Sequence, residues 1–365
     1  MSIAWLIFLT LAFFFLQGVI YVKWGLRNIE YNRRFSQTTA YVGDEIEMID
    51  EIANKKLIPV PWVRLESKIN AHLVFGQVEG AERGDMHRTL FSLMPFQKIK
   101  RRQKVLCAKR GYYQFETVSM STGDAVGFDE TFQTVHSTAS ITVFPEIVNK
   151  EDIPLPSQSW LGELIVKRWI IEDPFLVAGV REYSSGDPMH TINWKATARS
   201  GSMQVNQYDY TADHHLMIYV NFDQTEDKWH PIIHEDLLEK ALSYAASIAH
   251  ESIELGIPTG FGCNSYLVSD SNKENSIRLY PANGHSHLLA MLDQMAKAKM
   301  DISFAFYEFL EEDINRQLER TDIFIITNII TEKVQMHIDI LEENGNRVET
   351  LLLNNEEESG DRYAS

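Results

Sequence analysis

Cysteine is almost absent from this 365-residue chain, which holds only two, Cys107 and Cys263. Two cysteines so far apart make neither a disulfide framework nor a metal-ligand cluster. Each sits in an apolar, strand-like run (Val105-Leu106-Cys107-Ala108 and Gly260-Phe261-Gly262-Cys263), where a buried small hydrophobe is expected. A reducing compartment fits that usage. Positive charge is also short: 34 Lys and Arg against 51 Asp and Glu leave a formal net charge of −17. That balance excludes nucleic acid as an expected partner, because phosphate binding needs clustered cations. Familiar catalytic patterns are missing too: no Gly-x-Ser-x-Gly, Walker or Gly-x-Gly-x-x-Gly motif occurs. His214-His215 opens a strand, where neighbouring side chains point to opposite faces and do not share a metal. His285 and His287 read as solvated histidines of a loop after Gly284. Nothing supplies an activated nucleophile with its base.

Long hydrophobic runs are confined to the N-terminus. Ile3 to Val22 is apolar, with Gln17 as its only strongly polar residue. About 20 residues at ~1.5 Å rise match a hydrocarbon core ~30 Å thick. Trp5 near one end and Tyr21 with Trp24 at the other supply interfacial aromatics. A cleaved signal peptide would carry a positive n-region, a shorter apolar stretch and small residues at its cleavage site, so a retained single span is expected. Lys23, Arg27, Arg33 and Arg34 follow the run and nothing positive precedes it. The positive-inside rule then places the N-terminus outside and the bulk of the chain in the cytoplasm, at the cell membrane. Reversed topology would instead make an extracytoplasmic adhesion receptor.

Hydrophobic residues make up 44% of the chain, enough for sizeable cores, and its length suits two domains plus an anchor. The segmentation is 1–24 as transmembrane anchor, 35–146 as an Ig-like β-sandwich, 147–200 as a connecting segment, 201–354 as an α/β domain and 355–365 as an acidic disordered tail. Short alternating strands separated by turn signals fill the second segment, among them Val63 to Glu66, Thr89 to Leu93, Gln103 to Lys109, Tyr112 to Ser119 and Ala139 to Phe144. The basic stretch Lys98, Lys100, Arg101, Arg102, Lys104 is read either as an anionic-lipid contact or as a charge-protected edge strand. From Leu216 onward apolar strands alternate with helical periods over 235–255, 287–299, 308–320 and 332–343, which predicts an open, mainly parallel α/β sheet.

The densest signature precedes the first apolar strand: Arg181-Glu182-Tyr183-Ser184-Ser185-Gly186-Asp187-Pro188, then Ile192-Asn193-Trp194-Lys195-Ala196-Thr197-Ala198-Arg199. Its Arg-Glu-Tyr, Gly-Asp-Pro and Trp-Lys-Ala-Thr-Ala-Arg pieces resemble, in order and spacing, the hallmark of the "domain of unknown function 58" family (DUF58). Lys109-Arg110-Gly111-Tyr112, Asp124 with Gly127-Phe128, and Val143-Phe144-Pro145 resemble that family's sandwich region. His190 stands where the family usually has Arg, and Asn193 where it usually has Asp. The resemblance implies a membrane-anchored bacterial or archaeal protein with a von Willebrand factor A-like α/β domain. It also implies an adaptor beside a MoxR-type ATPase or a transglutaminase-like membrane protein. In physical terms Gly186-Asp187-Pro188 is a turn signal, and Ile192 with Trp194 offers apolar anchors. Arg181, Glu182, Asp187, Lys195 and Arg199 then form either a salt-bridged structural network or a recognition surface.

Von Willebrand A-like folds often hold Mg²⁺ on an Asp-x-Ser-x-Ser motif after the first strand, where hard oxygens suit a hard cation. The matching stretch here keeps Asp223 and Thr225, has Asp227 in place of the second Ser, and is followed much later by Thr327-Asn328. The expected function is non-enzymatic protein–protein binding that tethers a complex to the membrane. The alternative is a metal-dependent hydrolase or envelope-modifying enzyme with its site around Asp223.

Overall fold

The computed structural model describes residues 3–75, 86–123, 130–154, 172–184, 187–210, 215–225, 232–268 and 275–353. Several positions of interest lie outside them: Asp124, Gly127, Phe128, Gly186, His214, Asp227 and the acidic tail. Two compact units emerge, Met1–Glu146 with Met295–Lys297, and Ile147–Gln294 with Ala298–Ser365.

The first unit begins with α1 (Ile3–Trp24), whose apolar side chains face outward along nearly its whole length. It is the one helix among the described residues long and apolar enough to cross a membrane. It joins the strands that follow without slack. Gly25 N donates to Tyr21 O at 2.7 Å, and a Cβ at Gly25 would lie 2.3 Å from that oxygen and 2.7 Å from Thr122 Cγ2. Glycine alone fits there. Leu26, next in sequence, is already part of the core.

The strands are β1 (Ile29–Phe35), β2 (Thr39–Tyr41), β3 (Glu45–Asn54), β4 (Val60–Lys68), β5 (Leu73–Phe75), β6 (Met86–Leu93), β7 (Lys98–Cys107), β8 (Gly111–Gly123) and β9 (Glu130–Phe144). They form two sheets, β1-β3-β7-β5 and β2-β9-β8-β4-β6, antiparallel except where β2 lies parallel to β9. Alternate residues turn inward, so that Phe35, Met48 and Val105 from one sheet meet Phe115, Ile141 and Val143 from the other. Cys107 is buried in that core, and burial pushes its thiol up to about 11.

Two features of this unit escape the sequence pattern. β1, Ile-Glu-Tyr-Asn-Arg-Arg-Phe, carries an Arg on an inward position: Arg33 is buried against Asp50, with Nε to Oδ1 at 2.8 Å. Its Nη1 donates to Ser67 Oγ at 2.7 Å, and Tyr31 OH donates to Asp50 Oδ1 at 2.6 Å. β9 starts at Glu130 rather than Ala139; its first half is mostly polar and exposed, with Phe132 on the surface and Val135 packed toward the core. The basic stretch lies on β7. Its Lys and Arg side chains meet an acidic row on β3: Lys98 and Lys100 reach Glu51 at 2.7 and 3.6 Å, Arg102 reaches Glu47 at 3.5 Å, and Lys104 pairs with Glu45. Four of the five cations are thus paired within their own sheet, while Arg101 lies over the Phe91 ring, 5.3 Å from its centroid.

In the second unit β10 (Glu172–Glu182) pairs antiparallel with β11 (Gln204–Tyr210), and α2 (Trp194–Ser200) sits between them in sequence. A five-stranded sheet follows, in the order β14-β13-β12-β15-β16. Its strands are β12 (His215–Val220), β13 (Thr259–Cys263), β14 (Ile277–Ala282), β15 (Thr321–Thr327) and β16 (Arg347–Leu352). β12, β13, β15 and β16 are parallel, and β14 is antiparallel at the edge. Its helices are α3 (Glu235–Glu254), α4 (His285–Lys297), α5 (Phe306–Asn315) and α6 (Glu332–Glu343). Met217, Tyr219, Ile323 and Ile325 project toward Phe306, Phe309, Val334 and Ile338 of α5 and α6. β12 and β15 are buried on both faces, which is why they read as continuous apolar runs. Cys263 ends β13, buried and unbridged.

The helix expected over 308–320 stops at Asn315, after which Gln317 and Arg320 both take positive φ. His285 and His287 are not loop residues. They open α4, and His287 Nε2 lies 2.8 Å from Thr259 O. Gly284 at φ 100 turns the chain into that helix, which is why the flanking residues look loop-like in sequence.

Candidate functional site

Two places collect the residues of interest, both within the second unit. The first is the ribbon of β10 and β11 with α2. Arg181, on β10, holds Asp187 through two hydrogen bonds, Nη1 to Oδ2 and Nη2 to Oδ1, each 2.7 Å. Ser184 N adds a third at 2.8 Å to Oδ2. The guanidinium first and this amide second draw the Asp187 carboxyl down to about 2. Arg181 Nη1 also donates to Glu182 O at 3.1 Å, and Glu182 Oε1 accepts from Ser202 Oγ at 3.3 Å.

Asn193 caps α2: its Oδ1 accepts from Ala196 N at 3.0 Å, while its Nδ2 donates to Asn206 Oδ1 at 2.7 Å. An Asp would cap equally well but has no donor for Asn206. Thr197 Oγ1 links the helix to β11 by accepting from Gln204 N at 3.0 Å. Ile192 and Val205 are buried beneath it.

The expected wider network does not form. Lys195 and Arg199 make no ion pair among the described residues, and they stand one turn apart on the outward side of α2. Trp194 is not an anchor either. It is 69% exposed, and Met189 just before it is 74% exposed. α2 buries none of its own side chains, because Asn193 and Thr197 fix it by hydrogen bonds instead. The outward surface of α2 therefore carries Trp194 and Ala198 beside Lys195 and Arg199, and Met189 is exposed in the turn that precedes it.

The second place is the carboxyl end of the parallel sheet. The strand order reverses between β12 and β15, the position at which open α/β sheets take ligands. Asp223 follows β12 there. Its Oδ1 accepts from Asn264 Nδ2 at 2.8 Å and its Oδ2 from Phe306 N, in the first turn of α5, also at 2.8 Å. Asn264 Oδ1 accepts from Phe222 N at 2.9 Å, and Asn221 Nδ2 donates to Thr327 Oγ1 at 3.0 Å. Each Asp223 oxygen is thus engaged in holding three loops together. Thr225 is described and half-exposed. Among the described residues no group of three His, Cys, Asp or Glu is placed to hold a metal ion. Asn221 and Asn264 are the members the sequence reading missed. The available signal was an amide or acid closing each apolar strand, at Asn221, Asn264 and Asn328.

These two places lie within a region of defined ancestry. Residues 179–359 match the family model described as "Protein of unknown function DUF58", and that region of the chain belongs to the family. The signature from Arg181 to Arg199 falls inside the match. Over 362 residues the chain is 20% identical to "Uncharacterized protein YeaD" of Bacillus subtilis (strain 168), covering 96% of this chain and 82% of that one. Among solved structures, the CARDB domain of a Pyrococcus furiosus protein aligns with 32% of this chain and 90% of its own, at 13% identity and a TM-score of 0.20. The seventh ScaB type I cohesin of Pseudobacteroides cellulosolvens aligns with 31% and 91%, at 15% identity and a TM-score of 0.20. At those scores no function passes from either to this chain.

Proposed function

We propose that this protein is a membrane-anchored, non-enzymatic adaptor that docks a protein partner on the outward surface of α2. The observation that carries the reading is the exposure of Trp194 and Met189 inside the family signature. Large apolar residues spent on the surface, with cations alongside, are a common composition for a binding surface. Trp is also the residue type most often found to dominate interfaces. Lys195 and Arg199, unpaired among the described residues of a strongly acidic chain, favour a partner segment that presents carboxylates around an apolar residue. The Arg181–Asp187 clasp holds the adjoining turn in shape. α1 serves as a single membrane span with the bulk of the chain in the cytoplasm, and the parallel sheet is the von Willebrand A-like domain that presents the ribbon. A MoxR-type ATPase or a transglutaminase-like membrane protein is the partner class that the family resemblance suggests.

The metal-dependent alternative at Asp223 has less support, since both carboxylate oxygens already accept hydrogen bonds that join the loops. A Trp194→Ala, Arg199→Glu variant of the full chain tests the adaptor reading. It should keep wild-type stability and lose its co-purifying partner. Retention of every partner would sink this assignment of the surface.

A further inference from the structure

Three exposed apolar residues of the first unit have no role in its core: Leu57 (75% exposed), Met94 (64%) and Phe96 (70%). They occupy two neighbouring tips, the connection from β3 to β4 and the turn from β6 to β7. Phe96 N donates to Lys56 O at 3.3 Å, and Asn54 Nδ2 donates to Met94 O at 3.0 Å and Ile58 O at 2.9 Å. The β3–β4 tip is bound to the residues that follow α1. Lys56 Nζ donates to Gly25 O at 2.7 Å and Arg27 O at 2.9 Å, and Lys55 N donates to Asn28 O at 3.0 Å. Ile58 lines a shallow recess with Phe13, Leu16, Gln17, Ile20 and Tyr21 of α1.

That last contact sets a depth. Ile20 and Gln17 lie four and seven residues before Trp24, or roughly 6 and 10 Å back along the helix axis at ~1.5 Å per residue. The β3–β4 tip therefore reaches back past the end of α1 toward its apolar middle, and the β6–β7 turn is hydrogen-bonded to that tip. Because Gly25 and Leu26 join helix and strands without a linker, that depth is fixed by the fold.

Phe96 adds a second, independent sign. It takes φ 53 in the turn Met94-Pro95-Phe96-Gln97, closed by Gln97 N to Met94 O at 3.3 Å. Glycine is the usual residue for that left-handed position. A bulky aromatic kept there, pointing outward, meets no need of the core.

We infer that Leu57, Met94 and Phe96 insert into the headgroup–acyl boundary of the bilayer beside α1 and set the sandwich firmly against the membrane. Interfacial apolar groups bury ~5–10 Å at that boundary, which is the depth the α1 contact gives. Lys23 and Arg27, exposed at the same end without carboxylate partners among the described residues, suit anionic headgroups. The inference rests on the reading of α1 as a membrane span.

Single cysteines at positions 57, 94 and 96, with controls at Phe15 in α1 and Leu90 on β6, allow a depth measurement on the full chain. Cys107 and Cys263 are buried, so a nitroxide reagent labels the added thiol. The labelled chains are placed in phosphatidylcholine vesicles containing phosphatidylglycerol, and collision with oxygen is compared with collision with a water-soluble nickel chelate. We expect nickel collision at 57, 94 and 96 to fall several-fold below that at 90, with oxygen collision rising toward the value at 15. Labels at 57, 94 and 96 as open to nickel as that at 90, with 15 protected, would overturn the inference and leave the span intact. A label at 15 open to nickel would instead remove the span itself.

Discussion

At the scale of single residues the most consequential buried group is Arg33. Its pair with Asp50 lies within the first unit's core, where removing one partner strands the other charge. Arg33→Ala should cost about 3–5 kcal/mol, read from denaturant midpoints at constant slope. The double replacement Arg33→Met, Asp50→Leu should recover most of that loss, because neither charge then needs solvation. Phe96→Gly should act the other way and raise stability by about 1 kcal/mol, by relieving a left-handed backbone. If that variant is destabilised, Phe96 packs against the fold more than its exposure indicates.

The clasp on Asp187 has a pH signature. Its folded carboxyl value, near 2, lies below the ordinary unfolded value of ~3.9. Its contribution is therefore complete above about pH 4–5 and is lost as pH falls through 2. Carbon-detected titration of the Asp187 carboxyl should show this depressed midpoint, and an Arg181→Ala variant should return it toward the ordinary value. Titration near 4 in the wild type would mean that the clasp is open in solution.

Among the secondary-structure elements, α5 depends on a residue outside it. Asp223 accepts from Phe306 N in the first turn of α5, where orphan amides need a partner, and the same carboxylate orients Asn264. Asp223→Ala should lower stability by about 1–2 kcal/mol, the scale of a lost helix cap, and Mg²⁺ should leave the wild-type melting temperature unchanged. A Mg²⁺-dependent rise that disappears in Asp223→Ala would favour the metal-dependent alternative.

The same scale shows what was legible in the sequence. Elements whose residues are apolar on every inward position declared themselves: α1, β12, β15 and the helical period of α3 and α6. Elements whose inward positions carry polar groups did not. β1 reads as basic because Arg33 is buried with its own counterion, and β14 shows no apolar run because Arg278 points inward to Asp313 and Pro281 lies within the strand. The signature segment was legible as a unit. Its internal assignment was not, because spacing cannot tell a tryptophan that anchors from one that is displayed. The sequence predicts an anchor at Trp194, which is exposed, and leaves Lys195 and Arg199 open between a structural network, in which neither takes part among the described residues, and a recognition surface. The basic row on β7 is a related case: four of its five cations pair with an acidic neighbour strand that only the register of β3 and β7 brings alongside.

For the whole molecule, the proposal links an apolar helix at one end of the chain to a displayed surface in the second unit. Arg33 and Arg34, counted for topology, end in pairs with Asp50 and Glu51, leaving Lys23 and Arg27 as the exposed cations beside the helix. The positive-inside bias acts on the chain before those pairs form, so the proposed orientation rests on all four. Since the docking surface relies on Lys195 and Arg199, partner capture should also weaken as salt rises.

The most direct test is affinity purification of the tagged full chain from its own host's membranes, with the Trp194→Ala, Arg199→Glu variant in parallel and mass spectrometry of what co-elutes. The account predicts a specific partner with the wild type, lost or strongly depleted with the variant while both chains stay in the membrane fraction. Equal recovery of that partner with both chains, or no specific partner with either, would contradict it.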